Sequence, residues 1–232
     1  MPNYNIDKGS TDTLKIGIIG DSWASIHKQY DNQLDSMLFS ALNGSIPVKI
    51  YSSGKGGAKT KLVYTNMFED KDVNPNTYKG IRSSKPVLMQ HPQYCVVFAG
   101  TNDAICKMGT DYYVTHMLMI IRHLLAHDIK PILVEIPTVD EDKAYKANIW
   151  NKPLRHITMW LTGTPFHCLD EYRKELQKKL EEENLMDKIL FIPTAELTQR
   201  KEFLGKDGVH PTAKGYKILD LEITKKIAND KN

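Results

Sequence analysis

The sequence predicts a single α/β domain built on a mostly parallel five-stranded sheet with helices on both faces. Short apolar runs typical of buried strands alternate along the chain with segments whose apolar residues recur at helical spacing. This alternation favours a parallel sheet that is covered on both sides. The length of 232 residues suits one well-buried domain and is short for two. We expect residues 1–13 to form a flexible N-terminal arm and residues 14–232 to form the domain.

Five apolar runs predict the strands. Each is four to six residues long and contains β-branched or aromatic side chains. The first is followed by Gly20, the third by Gly100 and the fourth by Pro137, and glycine and proline commonly end strands. The predicted strands are residues 14–19, 48–51, 94–99, 131–136 and 189–192.

Apolar residues at a spacing of three or four predict helices between the strands. The segment 169–183 is rich in Lys and Glu and predicts a charged, exposed helix. Residues 59–92, rich in Asn, Lys and Pro, show no clear periodicity, and residues 137–165 are expected to be irregular. The other helices are marked by Leu34, Met37, Leu38, Ala41 and Leu42, then by Tyr113, Met117, Ile120, Ile121, Leu124 and Leu125, and finally by Tyr216, Leu219, Ile223 and Ile227.

Composition excludes several classes of protein. The net charge of +3 is small for this length and argues against a dedicated surface for nucleic acid or an anionic membrane. No apolar run approaches the roughly 18–20 residues of a transmembrane helix. The polar N-terminus lacks the apolar region of a signal peptide and predicts a cytoplasmic protein as the sequence is written. If Met1 replaces a signal or lipoprotein leader, the protein is instead periplasmic or secreted. Three widely spaced cysteines, Cys95, Cys106 and Cys168, do not resemble a disulfide framework.

Polar or small residues follow four of the predicted strands. Ser22 comes after the first strand, Gly57 after the second, Asn102 after the third and His210 after the fifth. In an open parallel α/β sheet the ligand lies beyond the carboxyl ends of the strands, so these residues should meet at one edge. A serine hydroxyl needs a base to take its proton and a third group to orient that base. His210 is the candidate base and Asp207, three residues earlier, is the candidate orienting group.

A tetrahedral intermediate also needs hydrogen-bond donors directed at its oxyanion. The backbone N–H groups of Ser22 and Gly57 and the side-chain amide of Asn102 are the candidate donors. Two other possible sites are rejected. The glycine-rich loop lacks the spacing of a phosphate-binding loop, and His123 and His127, although four residues apart, lack the intervening Glu of a zinc-protease motif.

Four blocks together resemble the SGNH (GDSL-type) hydrolases. The blocks are Gly20-Asp21-Ser22, the glycine loop ending at Gly57, Gly100-Thr101-Asn102-Asp103, and Asp207-Gly208-Val209-His210-Pro211, in the family's order. The resemblance implies a three-layer flavodoxin-like fold, the triad Ser22, Asp207 and His210, and an oxyanion hole of Ser22, Gly57 and Asn102. It implies no metal and no organic cofactor. Gly54 or Gly56 could take the place of Gly57, because the second block is the least typical of the four.

These observations predict a carboxylic-ester hydrolase that acts through an acyl-enzyme on a small-molecule or glycan ester. Our first expectation is a carbohydrate O-acetylesterase with a preference for short acyl groups. A lysophospholipase or thioesterase, an acyltransferase with the same residues, and a non-catalytic binding module are the alternatives. We expect no nucleic-acid partner and no membrane span, and the sequence leaves the oligomeric state open.

Overall fold

The computed structural model describes residues 13–27, 33–70, 82–146, 161, 163 and 168–231. Its centre is a sheet of five parallel strands in the order β2-β1-β3-β4-β5. Gly20, at the end of β1, pairs with Gly54 on one side and Phe98 on the other, so the three strands end at the same level. The strands are β1 (Leu14–Gly20), β2 (Val48–Gly54), β3 (Tyr94–Phe98), β4 (Lys130–Val134) and β5 (Leu190–Ile192).

Helices cover both faces of the sheet, and each face has its own apolar core. The core on one face includes Ile16, Ile18 and Phe98 and is covered by α1, α2 and α9. The core on the other face includes Ile19, Val97 and Leu133 and is covered by α3, α6 and α8. The helices are α1 (Ser22–His27), α2 (Gln33–Ala41), α3 (Thr60–Asn66), α4 (Lys85–Leu88), α5 (Thr101–Ile105), α6 (Thr110–Leu125), α7 (Glu141–Lys146), α8 (Leu169–Glu182) and α9 (Ala213–Lys231), with short 3₁₀ turns at Met186–Lys188 and Leu197–Gln199.

The predicted α/β fold with a five-stranded sheet and helices on both faces is confirmed, and every strand pair is parallel. The helix expected to be charged and exposed, α8, differs in one respect. Four of its apolar side chains are buried, so only the remaining surface of this helix is charged and solvated. Helices α3 and α4 lie in the stretch without clear periodicity, and α7 lies in the segment expected to be irregular. The buried residues of α8 are Leu169, Tyr172, Leu176 and Leu180.

Of the expected N-terminal arm, residues 1–12 lie outside the described residues. The domain prediction for residues 14–232 therefore stays a prediction. Within the described ranges, no helix is both long enough and apolar enough to cross a membrane.

Candidate active site

The nucleophile candidate sits on a tight turn between β1 and α1. Gly20 has a φ of 148°, and a Cβ atom there would lie 2.0 Å from the Phe98 carbonyl oxygen. Only glycine fits where β1 ends against β3. The buried carboxylate of Asp21 accepts a hydrogen bond from the Trp23 N–H at 2.9 Å. This contact starts α1 and places Ser22 as the first residue of the helix, at the carboxyl edge of the sheet.

Ser22, His210 and Asp207 form one hydrogen-bonded chain. His210 Nε2 lies 2.9 Å from Ser22 Oγ, and His210 Nδ1 lies 2.7 Å from Asp207 Oδ2. The other oxygen of Asp207 accepts the backbone N–H groups of Val209 and His210, both at 2.9 Å. A carboxylate on Nδ1 leaves Nε2 facing the hydroxyl, which is the arrangement a general base requires.

The Asp207–His210 turn is held by contacts with a neighbouring loop. Gly208 has a φ of 68°, and a Cβ atom there would lie 2.4 Å from the Asp140 carbonyl oxygen. The Asp140 N–H donates to the Gly208 carbonyl at 2.8 Å. The loop between β4 and α7 therefore fixes the conformation of the Asp207–His210 turn.

The charge of Asp207 follows from its contacts. Partial burial by itself would raise the pKa of Asp207. The hydrogen bonds from the His210 side chain and backbone and from the Val209 N–H outweigh burial and lower the pKa to about 2. Asp207 is therefore ionised at neutral pH and can orient an imidazole or stabilise an imidazolium.

Asn102 approaches Ser22 from the neighbouring strand. It lies in the first turn of α5, directly after β3 and after Gly100, whose φ is 113°. Its Nδ2 donates to the Ala58 carbonyl at 3.1 Å and faces Asp21 Oδ2 at 3.3 Å. These contacts fix the amide, and Asn102 lines the same cavity as Ser22 and His210.

The glycine loop after β2 also borders the site. Gly57 has a φ of 72°, a backbone conformation typical of glycine. Gly56 and Gly57 both line the cavity beside Ser22. Gly54 does not line it, because it ends β2 directly against α1, where a Cβ atom would lie 2.3 Å from the Ser25 nitrogen. The N–H groups of Ser22 and Gly57 have no hydrogen-bond partner among the described residues. The geometry therefore favours Gly56 or Gly57 over Gly54 at this position.

Two buried carboxyl groups support the loops. Burial is the main cause that raises the pKa of Asp21 to about 7, against smaller effects from the Trp23 N–H and from His210. Burial likewise raises the pKa of Asp103. Asp103 accepts the Thr60 N–H at 3.0 Å and the Thr60 hydroxyl at 2.6 Å, which joins α5 to the start of α3 and so holds the glycine loop in place.

A cavity of about 310 Å³ opens above Ser22. Its volume is at the small end of the usual range for ligand pockets, roughly 300–1,000 Å³. Among the described residues that line it, His210 is the only titratable side chain, and the others are apolar or neutral polar. The lining residues are Ser22, Trp23, Ser25, Ile26, Gly56, Gly57, Thr101, Asn102, Ile105, Val209 and His210.

Sequence reasoning missed a buried pair behind the nucleophile. His27 Nε2, at the end of α1, lies 2.6 Å from Asp220 Oδ1 on α9. One signal pointed to it. Asp220 directly follows Leu219 in the stripe of residues that buries α9, where a charged side chain is unusual.

The His123–His127 pair does not form a metal site with a third ligand. The two rings lie 4.3 Å apart on α6, and His127 Nδ1 faces the His123 carbonyl oxygen at 2.8 Å. Among the residues that the structure describes, no group of three or more His, Cys, Asp or Glu side chains is arranged to hold a metal ion.

Comparisons with known proteins bear on the family and the fold of this chain. The profile described as the GDSL-like lipase/acylhydrolase family matches residues 18–218. A lipase/acylhydrolase from Enterococcus faecalis is 19% identical with a TM-score of 0.65, over 94% of this chain and 97% of that one. A GDSL-like lipase from Bacteroides thetaiotaomicron is 18% identical with a TM-score of 0.61, over 98% and 93%. Axe2, an acetylxylan esterase from Geobacillus stearothermophilus, is 16% identical with a TM-score of 0.61, over 94% and 96%. A comparison with curated proteins by sequence found no match. At these identities the structural matches establish a shared fold.

Proposed function

The chain belongs to the GDSL-like lipase/acylhydrolase family and is a carboxylic-ester hydrolase, and we propose that it removes short acyl groups, above all acetyl, from a carbohydrate. The observation that carries the assignment of the nucleophile is the hydrogen-bonded chain from Ser22 Oγ through His210 to Asp207. We assign Ser22 as nucleophile, His210 as general base and acid, and Asp207 as the group that orients the imidazole.

The proposed reaction has two halves. His210 Nε2 takes the proton of Ser22 Oγ as that oxygen forms a bond with the ester carbonyl carbon. The tetrahedral intermediate collapses, the alcohol leaves with the proton from His210, and an acyl-enzyme remains. A water molecule then attacks the acyl carbon while His210 takes its proton. The bond between Ser22 Oγ and the acyl carbon then breaks, His210 returns the proton to Oγ, and the acid is released.

The Ser22 and Gly57 N–H groups and the Asn102 amide are the proposed oxyanion donors. The two backbone N–H groups are not engaged with other described residues. Asn102 would exchange its longer contact, 3.3 Å to Asp21 Oδ2, for the oxyanion while keeping the bond to the Ala58 carbonyl. Such a donor interacts more strongly with the developing negative charge than with the neutral ester, which is the requirement for lowering the barrier.

Two features of the cavity support a short acyl group and a neutral alcohol. Its volume of about 310 Å³ suits a small acyl group and part of a sugar. Apart from His210, none of the described residues that line it carries a charged side chain that would pair with the phosphate of a lysophospholipid. The likeness to an acetylxylan esterase of the same fold points in the same direction.

A turnover panel tests the proposal. Aryl acetate, aryl octanoate, an acetyl thioester and acetylated xylo-oligosaccharides should be compared at equal enzyme concentration, with Ser22→Ala as the matched control. We expect acetate release from the aryl acetate and the acetylated sugar, and loss of both activities in the control. Preference for the octanoate would instead favour the lipase alternative. Absence of turnover across the panel, together with no labelling by a fluorophosphonate, would favour a binding module.

A further inference from the structure

The two halves of the proposed triad come from distant parts of the chain. Ser22 begins α1, whereas Asp207 and His210 lie on the turn that leads into α9, and Ser22 and His210 are 188 residues apart. No covalent connection near the site fixes their separation. The 2.9 Å distance between Ser22 Oγ and His210 Nε2 therefore depends on how α1 is held, by its packing on the sheet and by its contacts with α9.

Two polar contacts join α1 to α9. The hydroxyl of Tyr216, in the first turn of α9, donates to the Trp23 carbonyl at 2.9 Å. His27 Nε2 lies 2.6 Å from Asp220 Oδ1, one turn further along α9. His27 is five residues after Ser22, about 7.5 Å along the helix axis at 1.5 Å per residue. The two contacts therefore hold α1 both next to the nucleophile and at the far end of the helix.

The His27–Asp220 pair is enclosed. Asp220 is 1% exposed and His27 is 7% exposed. The imidazole packs edge-on against the Tyr216 ring, with centroids 5.2 Å apart, and lies 6.2 Å from the Phe98 ring of β3. A directional hydrogen bond in such an apolar environment tolerates little displacement of either helix, because moving one partner would leave the other buried and unpaired.

We propose that the His27–Asp220 pair is a positioning device for the nucleophile: it fixes α1 against α9 and so sets the distance and angle between Ser22 and His210. This inference rests on the proposed role of Ser22 as nucleophile. Neither side chain lines the cavity, so the pair acts on the reaction through the position of α1 and not by contact with the ester.

A purely stabilising role makes a different prediction. Buried ion pairs can often be replaced by apolar residues of similar size without loss of stability. If the pair only stabilises the fold, an apolar replacement that restores stability also restores activity. A positioning role requires a directional hydrogen bond as well as packing. The same apolar replacement would then restore stability but leave kcat low.

Three variants separate these roles: Asp220→Ala, Asp220→Asn and the double variant His27→Leu with Asp220→Leu. Asn keeps an oxygen that can accept the His27 N–H, so Asp220→Asn should keep kcat within about threefold of the parent. Asp220→Ala and the double variant should lower kcat by about 10-fold or more with little change in KM, because small misplacements of reacting groups have large effects on rate. Ile227→Val, a buried position two turns further along α9 and away from the site, is the control and should leave kcat unchanged.

Each variant should be assayed with aryl acetate well below its own melting temperature, and its rate of labelling by a fluorophosphonate should be measured in parallel. Parent-like kcat and labelling in a stable double variant would overturn the inference, as would an Asp220→Asn variant as slow as Asp220→Ala. An error in the assignment of Ser22 as nucleophile would give a different result, because the Ser22→Ala variant would then be labelled as fast as the parent protein.

Discussion

Asp21 is expected to make the protein less stable as the pH rises through the neutral range, and Asp21→Asn should remove this effect. The carboxyl group is 2% exposed. Its pKa is about 7 in the folded protein against an ordinary value of 3.8, with burial as the main cause. At any pH between these two pKa values, Asp21 keeps its proton in the folded protein and has lost it in the unfolded chain. The free energy of unfolding therefore falls as the pH rises.

The magnitude follows from the two pKa values. Each pH unit between them changes the free energy of unfolding by about 1.36 kcal/mol. From pH 5 to pH 8, a range that includes the folded pKa of about 7, the loss is about 3 kcal/mol, and at higher pH the contribution is constant. Asparagine has no proton to release. The difference in unfolding free energy, variant minus parent, should thus rise by about 3 kcal/mol between pH 5 and pH 8.

Urea denaturation at pH 5, 6, 7 and 8 measures this difference directly. The side-chain amide introduced by Asp21→Asn should contact the Asn102 amide less favourably than the parent carboxyl does, at the place where Asp21 Oδ2 lies 3.3 Å from Asn102 Nδ2. That cost is the same at each pH and does not alter the slope. Asp170→Asn, at a side chain that is 74% exposed, is the control and should show no such trend. A difference that stays constant within about 0.5 kcal/mol across this range would refute the reasoning.

Three further predictions concern the site itself. Asn102→Ala should lower kcat by about 10²–10³-fold through loss of an oxyanion donor; a kcat near the parent value with aryl acetate would remove Asn102 from the mechanism. Asp207→Asn should lower kcat by up to about 10⁴-fold because the imidazole loses its orienting carboxylate, and a loss below threefold in steady-state assays would contradict that role. Gly208→Ala should reduce both kcat and the melting temperature, since its Cβ atom would meet the Asp140 carbonyl oxygen at 2.4 Å. Gly56→Ala is the matched control for stability, because a Cβ atom there would have no neighbour within 4 Å. Equal melting temperatures for the two variants would show that the Asp207–His210 turn adapts to the added Cβ atom.

The sheet was predictable because burial leaves a strong pattern in the sequence. Strands β1 and β3 lie inside the sheet, and their continuous apolar runs identify them. Strand β2 was predicted only as far as Tyr51 and in fact extends to Gly54. It is an edge strand, and its polar residues Ser52 and Ser53 pair with β1 through backbone groups that do not depend on the side chain.

Helix α3 was not predicted because its buried positions form no apolar pattern. The buried positions of α3 are Thr60, Val63 and Asn66, so two of the three are polar and no apolar stripe marks the helix. Thr60 is buried because it donates to Asp103, a residue 43 positions later. Tertiary contacts of this kind leave no local trace in the sequence.

For the candidate site, spacing predicted residues that the fold does bring together, but not their environment. The sequence named Ser22, Asn102, Asp207 and His210, because each follows a strand or precedes a helix in a recognisable block. It gave no reason to single out His27, which becomes notable only when the fold brings α9 beside it. It also left open which glycine faces Ser22, a choice that depends on the backbone of the loop after β2.

The long separation in sequence between the proposed nucleophile, Ser22, and the proposed base, His210, also has a consequence during synthesis of the chain. All five strands precede His210 in the chain. At a typical ~5–20 residues per second, the 188 residues between Ser22 and His210 take roughly 10–40 s to synthesise. A growing polypeptide can thus complete its sheet while its serine remains inert. If Ser22 and His210 have the roles proposed above, ester cleavage begins only after the imidazole has emerged from the ribosome and α9 has docked.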